Sequence, residues 1–143
     1  MNRRQLFAAS LPLALAAQTA TAADAPPPSA PAPTTPLFPD DVEFWFETQR
    51  MFGADEWGGA SFGEVLATSA KIKAGDYDSW YDAWNAIADR IAAEGDAQLG
   101  KGRKVSARDS YLRASNYYRS SEFFLHATPK DPRVTRAYER SVG

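Results

Sequence analysis

The segment Gly59-Ala60-Ser61-Phe62-Gly63 matches G-x-S-x-G, the pattern that carries the nucleophilic serine of many serine hydrolases. In those enzymes a buried strand delivers the serine into a sharp turn that precedes a helix. Residues 53–58 include two carboxylates and two glycines, so they do not form a buried strand. Ser61 and Glu64 also have the spacing of a capping box. We therefore predict that Ser61 begins a helix and that the chain has no catalytic nucleophile.

Other groups that could do chemistry are scarce. His126 is the only histidine, and the chain has no cysteine. His126 lies where a predicted helix ends, and the helix dipole favours a partly charged imidazole there, so we predict a structural role. Zinc sites need several His or Cys ligands, and we predict no metal and no other cofactor. The carboxylates are scattered and mostly precede predicted helices, although a paired acid and base for glycoside hydrolysis remains an alternative.

The run of residues 113–119 concentrates polar groups in two helical turns. It contains two guanidinium groups, an amide, a hydroxyl and two phenols, which is more polar function than a core requires. We predict that four of its side chains line a substrate pocket or contact another domain: Arg113, Asn116, Tyr117 and Arg119. The alternative is that Tyr118 belongs to the core and that both arginines are solvated.

Helices must position these residues. Asp40 and Asp41 can cap a first helix. Such capping residues, together with glycines and apolar periodicity, predict helices over residues 42–52, 61–75, 78–99, 106–126 and 133–141. Trp80, Trp84, Ile87 and Ile91 recur at helical spacing, and we interpret this stripe as core. No strand is predicted. The expected fold class is all-α, a small bundle of about four to five helices that follows a signal peptide and a Pro-rich linker.

Apolar side chains of the fourth predicted helix point in several directions. At 100° per residue, Ala107, Tyr111 and Ala114 share one face, whereas Leu112 and Phe123 lie opposite. A helix with this pattern is usually buried on more than one side. We therefore expect something beyond the predicted bundle to pack against it.

Residues 1–39 predict an export signal followed by a linker. Arg3 and Arg4 precede a short apolar run, and Ala20 and Ala22 offer a cleavage site, so residues 1–22 read as a signal peptide, with a partial match to the twin-arginine motif. The run of residues 6–17 would rise about 18 Å as a helix, short of the roughly 30 Å of a bilayer core, so no stable membrane span is predicted. Residues 23–39 are rich in Ala and Pro and predict a linker before a folded region at 40–143. The expected location is periplasmic or secreted.

The net charge of the chain argues against a nucleic-acid partner. Removing residues 1–22 leaves 14 basic against 18 acidic residues, a net charge of about −4. Proteins that bind nucleic acid normally carry clustered basic side chains, so we predict no nucleic-acid partner.

Residues 111–119, Tyr-Leu-Arg-Ala-Ser-Asn-Tyr-Tyr-Arg, followed by Glu-Phe-Phe-Leu at 122–125, resemble the signature helix of a group of α/β-hydrolases. This group of bacterial and fungal proteins includes 2,6-dihydroxypseudooxynicotine hydrolase and fermentation-respiration switch proteins. Upstream pieces match in the same order: Phe52-Gly53, Gly58-Gly59-Ala60, Phe62-Gly63-Glu64-Val65-Leu66, Ser79-Trp80-Tyr81 with Trp84, and Ser106-Ala107-Arg108. The resemblance covers about residues 42–142.

The resemblance implies the N-terminal helical cap of a bacterial α/β-hydrolase. Such a cap packs over the C-terminal α/β-hydrolase domain and forms part of the wall of its active site. In that group the catalytic triad lies in the later domain, and the parent would hydrolyse an ester, amide or carbon–carbon bond of a small molecule. This sequence lacks the alternating strand and helix pattern of such a domain. We expect a fragment of a longer gene product that is inactive alone and whose partner is the missing domain.

A rival interpretation is a helical interaction module without enzymatic activity. The third and fourth predicted helices form an antiparallel pair whose small and aromatic positions are similar to those of a tetratricopeptide unit. Solenoids generally need three or more repeats to be stable, and one pair is visible here.

Overall fold

The computed structural model describes residues 37–128 and 130–143. The predicted signal peptide and residues 23–36 of the predicted linker lie outside them. The described residues form five α-helices and no strand, which confirms the predicted all-α bundle. The helices are α1 (Val42–Gly53), α2 (Phe62–Ser69), α3 (Tyr77–Gly100), α4 (Lys104–Ser121) and α5 (Pro132–Val142), and 3₁₀ turns occupy Ala54–Trp57 and Phe123–Ala127.

Aspartates start three of these helices. The carboxylates of Asp41, Asp76 and Asp131 each accept a hydrogen bond from a backbone N–H two or three residues ahead, at 2.9 to 3.0 Å. Each bond satisfies one of the N–H groups that a helix leaves unpaired at its start. The predicted cap at Asp41 is confirmed, and α3 begins slightly earlier than predicted because Asp76 precedes it.

Three predicted helix boundaries are wrong. The second helix ends at Ser69 and not at Gly75, because the N–H groups of Lys71 and Ile72 bond to carbonyls three residues back in tighter turns. Gly75 instead adopts a φ of 73° before α3, and its N–H donates to Asp41. The fourth helix starts at Lys104, ahead of its predicted start at residue 106. It ends at Ser121 and not at residue 126, because residues 123–127 form a separate 3₁₀ turn.

The core lies between α3 and α4. Trp80, Trp84 and Ile91 of α3 are at most 1% exposed, which confirms that their stripe is core. Tyr117 and Tyr118 of α4 are buried with them, and the rings of Trp84 and Tyr117 lie 5.6 Å apart. A helix pair that shares two Trp and two Tyr side chains buries a large apolar area for a chain of this size.

Two residues of the predicted linker, Leu37 and Phe38, pack in the bundle. Phe38 is 3% exposed and meets Phe44 edge-on at 5.6 Å, and Leu37 packs against the same cluster. Leu37 and Phe38 are the two large apolar side chains of residues 23–39. Their burial removes apolar area from water and is therefore favourable.

Two arginines of α5 contact side chains of α3 and α4. Arg133 lies 5.0 Å over the ring of Tyr81 and bonds to Asp78 at 2.6 Å. Arg140 lies 4.7 Å over the ring of Tyr118. Cation–π contacts thus supplement the small apolar contact of α5, which is centred on Ala137. Among the described residues no helix has the length and apolar character needed to cross a membrane.

Replacing Trp84 by Ala should remove about 3–5 kcal/mol from the free energy of unfolding, because it leaves a large cavity in the α3–α4 core. The control is Leu99→Ala on the same helix, where the side chain is 50% exposed. We expect the control to change stability by less than about 0.5 kcal/mol. Urea unfolding followed by circular dichroism measures both, and equal effects would contradict the assigned core.

Candidate functional site

The hydroxyl of Tyr117 is the centre of a polar cluster at the start of α2. It accepts a hydrogen bond from the N–H of Ser61 at 2.9 Å and donates one to Glu64 at 2.7 Å. In a capping box the glutamate would itself accept from the Ser61 N–H. The predicted capping box is therefore wrong in its contacts: the Ser61 side chain makes no capping hydrogen bond, and Tyr117 bridges the two residues.

Glu64 also attracts two arginines. Its carboxylate lies 3.2 Å from Nε of Arg113 and 3.5 Å from the guanidinium of Arg90, and the carboxylate side chain is 19% exposed. A half-buried carboxylate is stabilised by such charge-assisted hydrogen bonds. Arg113, predicted as a pocket or domain contact, therefore neutralises an internal charge of the bundle.

Asn116 fixes the segment before α2. Its amide nitrogen donates to the carbonyl of Gly59 at 2.9 Å. Gly59 is buried beneath the ring of Trp57, and a Cβ at this position would lie 1.9 Å from that ring. A larger residue would have to displace the indole. Asn116 and Tyr117 thus hold residues 59–64 against α4 from two adjacent positions.

Arg119 lies apart from this cluster. It is exposed and lines a groove of about 480 Å³. The other side chains facing this groove include Arg50, Met51, Trp57, Asn116, Phe123 and His126. Of the four predicted site residues, the structure therefore brings Arg113, Asn116 and Tyr117 together around residues 59–64, and it places Asn116 and Arg119 on the groove.

The G-x-S-x-G match does not form a nucleophile site within the described residues. Ser61 follows a 3₁₀ turn and not a strand. The imidazole of His126 hydrogen-bonds to Glu122 one turn away, and no hydrogen bond joins it to Ser61 in the described part of the chain. No group of three or more His, Cys, Asp or Glu side chains among residues 37–128 and 130–143 is arranged to hold a metal ion.

Burial raises the pKa of Tyr117 well above its ordinary range, and the hydrogen bond to Glu64 raises it further. The N–H of Ser61 favours the phenolate and opposes this shift, but it is the weaker influence. Tyr117 therefore keeps its proton at neutral pH. It acts as a hydrogen-bond donor and is unsuited to serve as a general base.

Comparisons with known proteins relate the sequence of this chain to hydrolases. The protein named hydrolase acrC from Aspergillus aculeatus is 47% identical over 106 residues, which is 74% of this chain and 24% of that protein. The 20-hydroxy-prefusarin hydrolase of Gibberella moniliformis is 43% identical over 99 residues, 69% of this chain and 24% of that protein. Alpha/beta hydrolase gkaG of Penicillium citrinum is 36% identical over 105 residues, 73% of this chain and 24% of that protein.

The chain thus spans about a quarter of the length of the curated relatives it matches. It is similar to one region of proteins named hydrolases and alpha/beta hydrolases, and the greater part of each relative has no counterpart in it. These relatives are fungal, so the expectation of a bacterial group, and of the particular group resembled, stays a prediction. No protein-family model matches the chain, and no solved structure matches it.

Replacing Tyr117 by Phe should lower the free energy of unfolding by about 1–3 kcal/mol, because the Ser61 N–H and the Glu64 carboxylate lose their shared partner. Tyr138→Phe is the matched control, since Tyr138 is 53% exposed. Urea unfolding of both variants tests this. An effect of Tyr117→Phe no larger than that of the control would contradict the assigned bridge.

Stability should fall as pH rises above about 10. In the unfolded chain tyrosine ionises near its ordinary pKa of about 10, whereas burial raises the pKa of Tyr117 in the folded state. The unfolded state then binds fewer protons than the folded state, so the free energy of unfolding decreases with pH. Denaturant unfolding between pH 8 and pH 11 should show that the free energy of unfolding decreases less steeply with pH for Tyr117→Phe than for the unaltered chain. Equal slopes for the two proteins would contradict the raised pKa of Tyr117.

Proposed function

We propose that this chain is the helical cap region of an exported α/β-hydrolase that acts on a small molecule. The parent enzyme hydrolyses an ester, amide or carbon–carbon bond with a catalytic triad that lies in a separate α/β-hydrolase domain. The cap covers that domain and contributes to the wall of its substrate pocket. By itself the chain is catalytically inert.

The observation that carries this proposal is the partial match to the relatives. Identity of 36 to 47% extends over about three quarters of this chain but over only about a quarter of proteins named hydrolases. A relationship of that extent supports descent from one region of a larger enzyme. Every regular element of the described residues is a helix, which agrees with a cap and not with the strand-rich layer that holds an α/β-hydrolase nucleophile.

Within the cap, we assign different tasks to the four predicted residues. Arg113 and Tyr117 hold the start of α2 in place through Glu64. Arg119 is the pocket residue, because it presents a charged group to a groove that also exposes the apolar face of Trp57. Asn116 serves both tasks, since it binds Gly59 and borders the same groove. Mixed apolar and polar lining of this kind suits a small-molecule pocket.

Export is part of the proposal and rests on the sequence. The basic start, the short apolar run and the Ala-x-Ala site of residues 1–22 are the support for a periplasmic or secreted location.

The rival interpretation as a tetratricopeptide-like module has less support, because the curated relatives are named for hydrolysis.

Assays of the purified chain with p-nitrophenyl esters of short and medium acyl length test the claim of inertness. We expect no turnover above buffer, and no difference between the unaltered chain and Ser61→Ala. Saturable turnover that Ser61→Ala abolishes would overturn the proposal, because it would make residues 59–63 a working nucleophile site.

A further inference from the structure

Helix α1 carries apolar residues on both its inner and its outer side. Its inner face buries Phe44 and Met51 in the core. Its opposite face carries Val42 and Phe46, which are 77% and 59% exposed. A helix at the edge of a bundle normally turns polar residues to solvent. The exposed apolar side chains of the outer face therefore mark a candidate interaction surface.

Apolar grooves flank this outer face on both sides. One groove, of about 530 Å³, lies between α1 and the aromatic side chains of Tyr77, Phe123 and Phe124. The other, of about 540 Å³, is lined by Leu37, Trp45, Gln49, Phe52, Phe62 and Leu66. A ridge between two grooves is the shape that a facing helix fits, because its side chains enter the grooves on either side.

Charges on the rim of the face are arranged to be self-complementary. Glu43 and Arg50 are seven residues apart, so they lie about 20° apart on the same flank of α1 and two turns from each other. When two copies of α1 pack antiparallel about a two-fold axis, the same flanks meet. Glu43 of each copy then faces Arg50 of the other, and the pair forms twice.

The apolar residues of the outer face lie inside this rim of charges. Phe46 lies close to the axis. The centre of the face is thus apolar and its charges stand at the rim, as in stable protein interfaces.

We propose that the outer face of α1 is a homodimer interface, in which α1 helices of two copies of this chain pack antiparallel with Phe46 near the two-fold axis. Glu43 and Arg50 set the register through two reciprocal ion pairs. This inference does not depend on the proposed function: a monomeric chain would overturn the dimer and leave the cap assignment intact.

Sedimentation equilibrium of the full chain from about 1 to 300 µM tests the interface. We expect a concentration-dependent dimer, and at least a tenfold weaker association for Phe46→Glu. The control is Val105→Glu, because Val105 is 67% exposed on α4, away from the proposed face. A monomer at every concentration, or equal dimerisation of both variants, would overturn the proposal.

Charge reversal tests the register. Glu43→Arg and Arg50→Glu should each weaken association about tenfold, and the double variant should recover to within about threefold of the original. Circular dichroism checks that each variant folds, since Arg50 also bonds to Glu47 at 2.9 Å. Two folded single variants without recovery in the double variant would contradict the antiparallel pairing.

A spin label gives a second readout that leaves these charges unaltered. The chain has no cysteine, so Gln49→Cys offers one labelling position on the outer face. Facing helices lie about 8–10 Å apart, and the labels should therefore show a short intermolecular distance, whereas labels at Leu99→Cys should not. Long or absent distances for Gln49→Cys would exclude the interface even if a charge variant failed to fold.

Discussion

The hydroxyl of Tyr117 is the contact on which the arrangement of this bundle depends. It connects the start of α2 to α4 by accepting from the Ser61 N–H and donating to Glu64, across 53 to 56 positions of sequence. Its ring packs on Trp84 at the same time, so one side chain joins the apolar core to the polar cluster. Hydrogen bonds in such a buried setting hold geometry firmly, because an unpaired group there is costly. The segment 59–64 is thereby fixed in one conformation.

This constraint changes the meaning of the G-x-S-x-G pattern. Gly59 lies against the indole of Trp57, which a Cβ at this position would have to displace, and Ser61 contributes its backbone to Tyr117. A segment whose parts are explained by packing and backbone bonding needs no nucleophile to account for it. The polar residues of α4 have two separate roles: Arg113 and Tyr117 face inward, whereas Arg119 borders an open groove.

Local signals predicted much of the fold. The carboxylate of Asp41 and the 3.6-residue stripe of Trp80, Trp84 and Ile91 act within one helix, so spacing along the chain was enough to find them. The partner of Glu64 could not be found in this way. The capping-box spacing singled out Glu64. That Glu64 accepts a hydrogen bond from Tyr117, and not from the Ser61 N–H, depends on where the tertiary fold places α4. The burial of Phe38 likewise depends on the aromatic cluster around Phe44, which local composition does not reveal.

The cap assignment rests on a relationship to about a quarter of larger hydrolases, and so its most direct test lies in the gene. Sequencing the genomic DNA beyond codon 143 shows whether the reading frame continues and what it encodes. We expect an open frame that encodes alternating strands and helices with a second G-x-S-x-G motif after a strand. A stop codon at that point, together with a well-folded product of 143 residues, would contradict it.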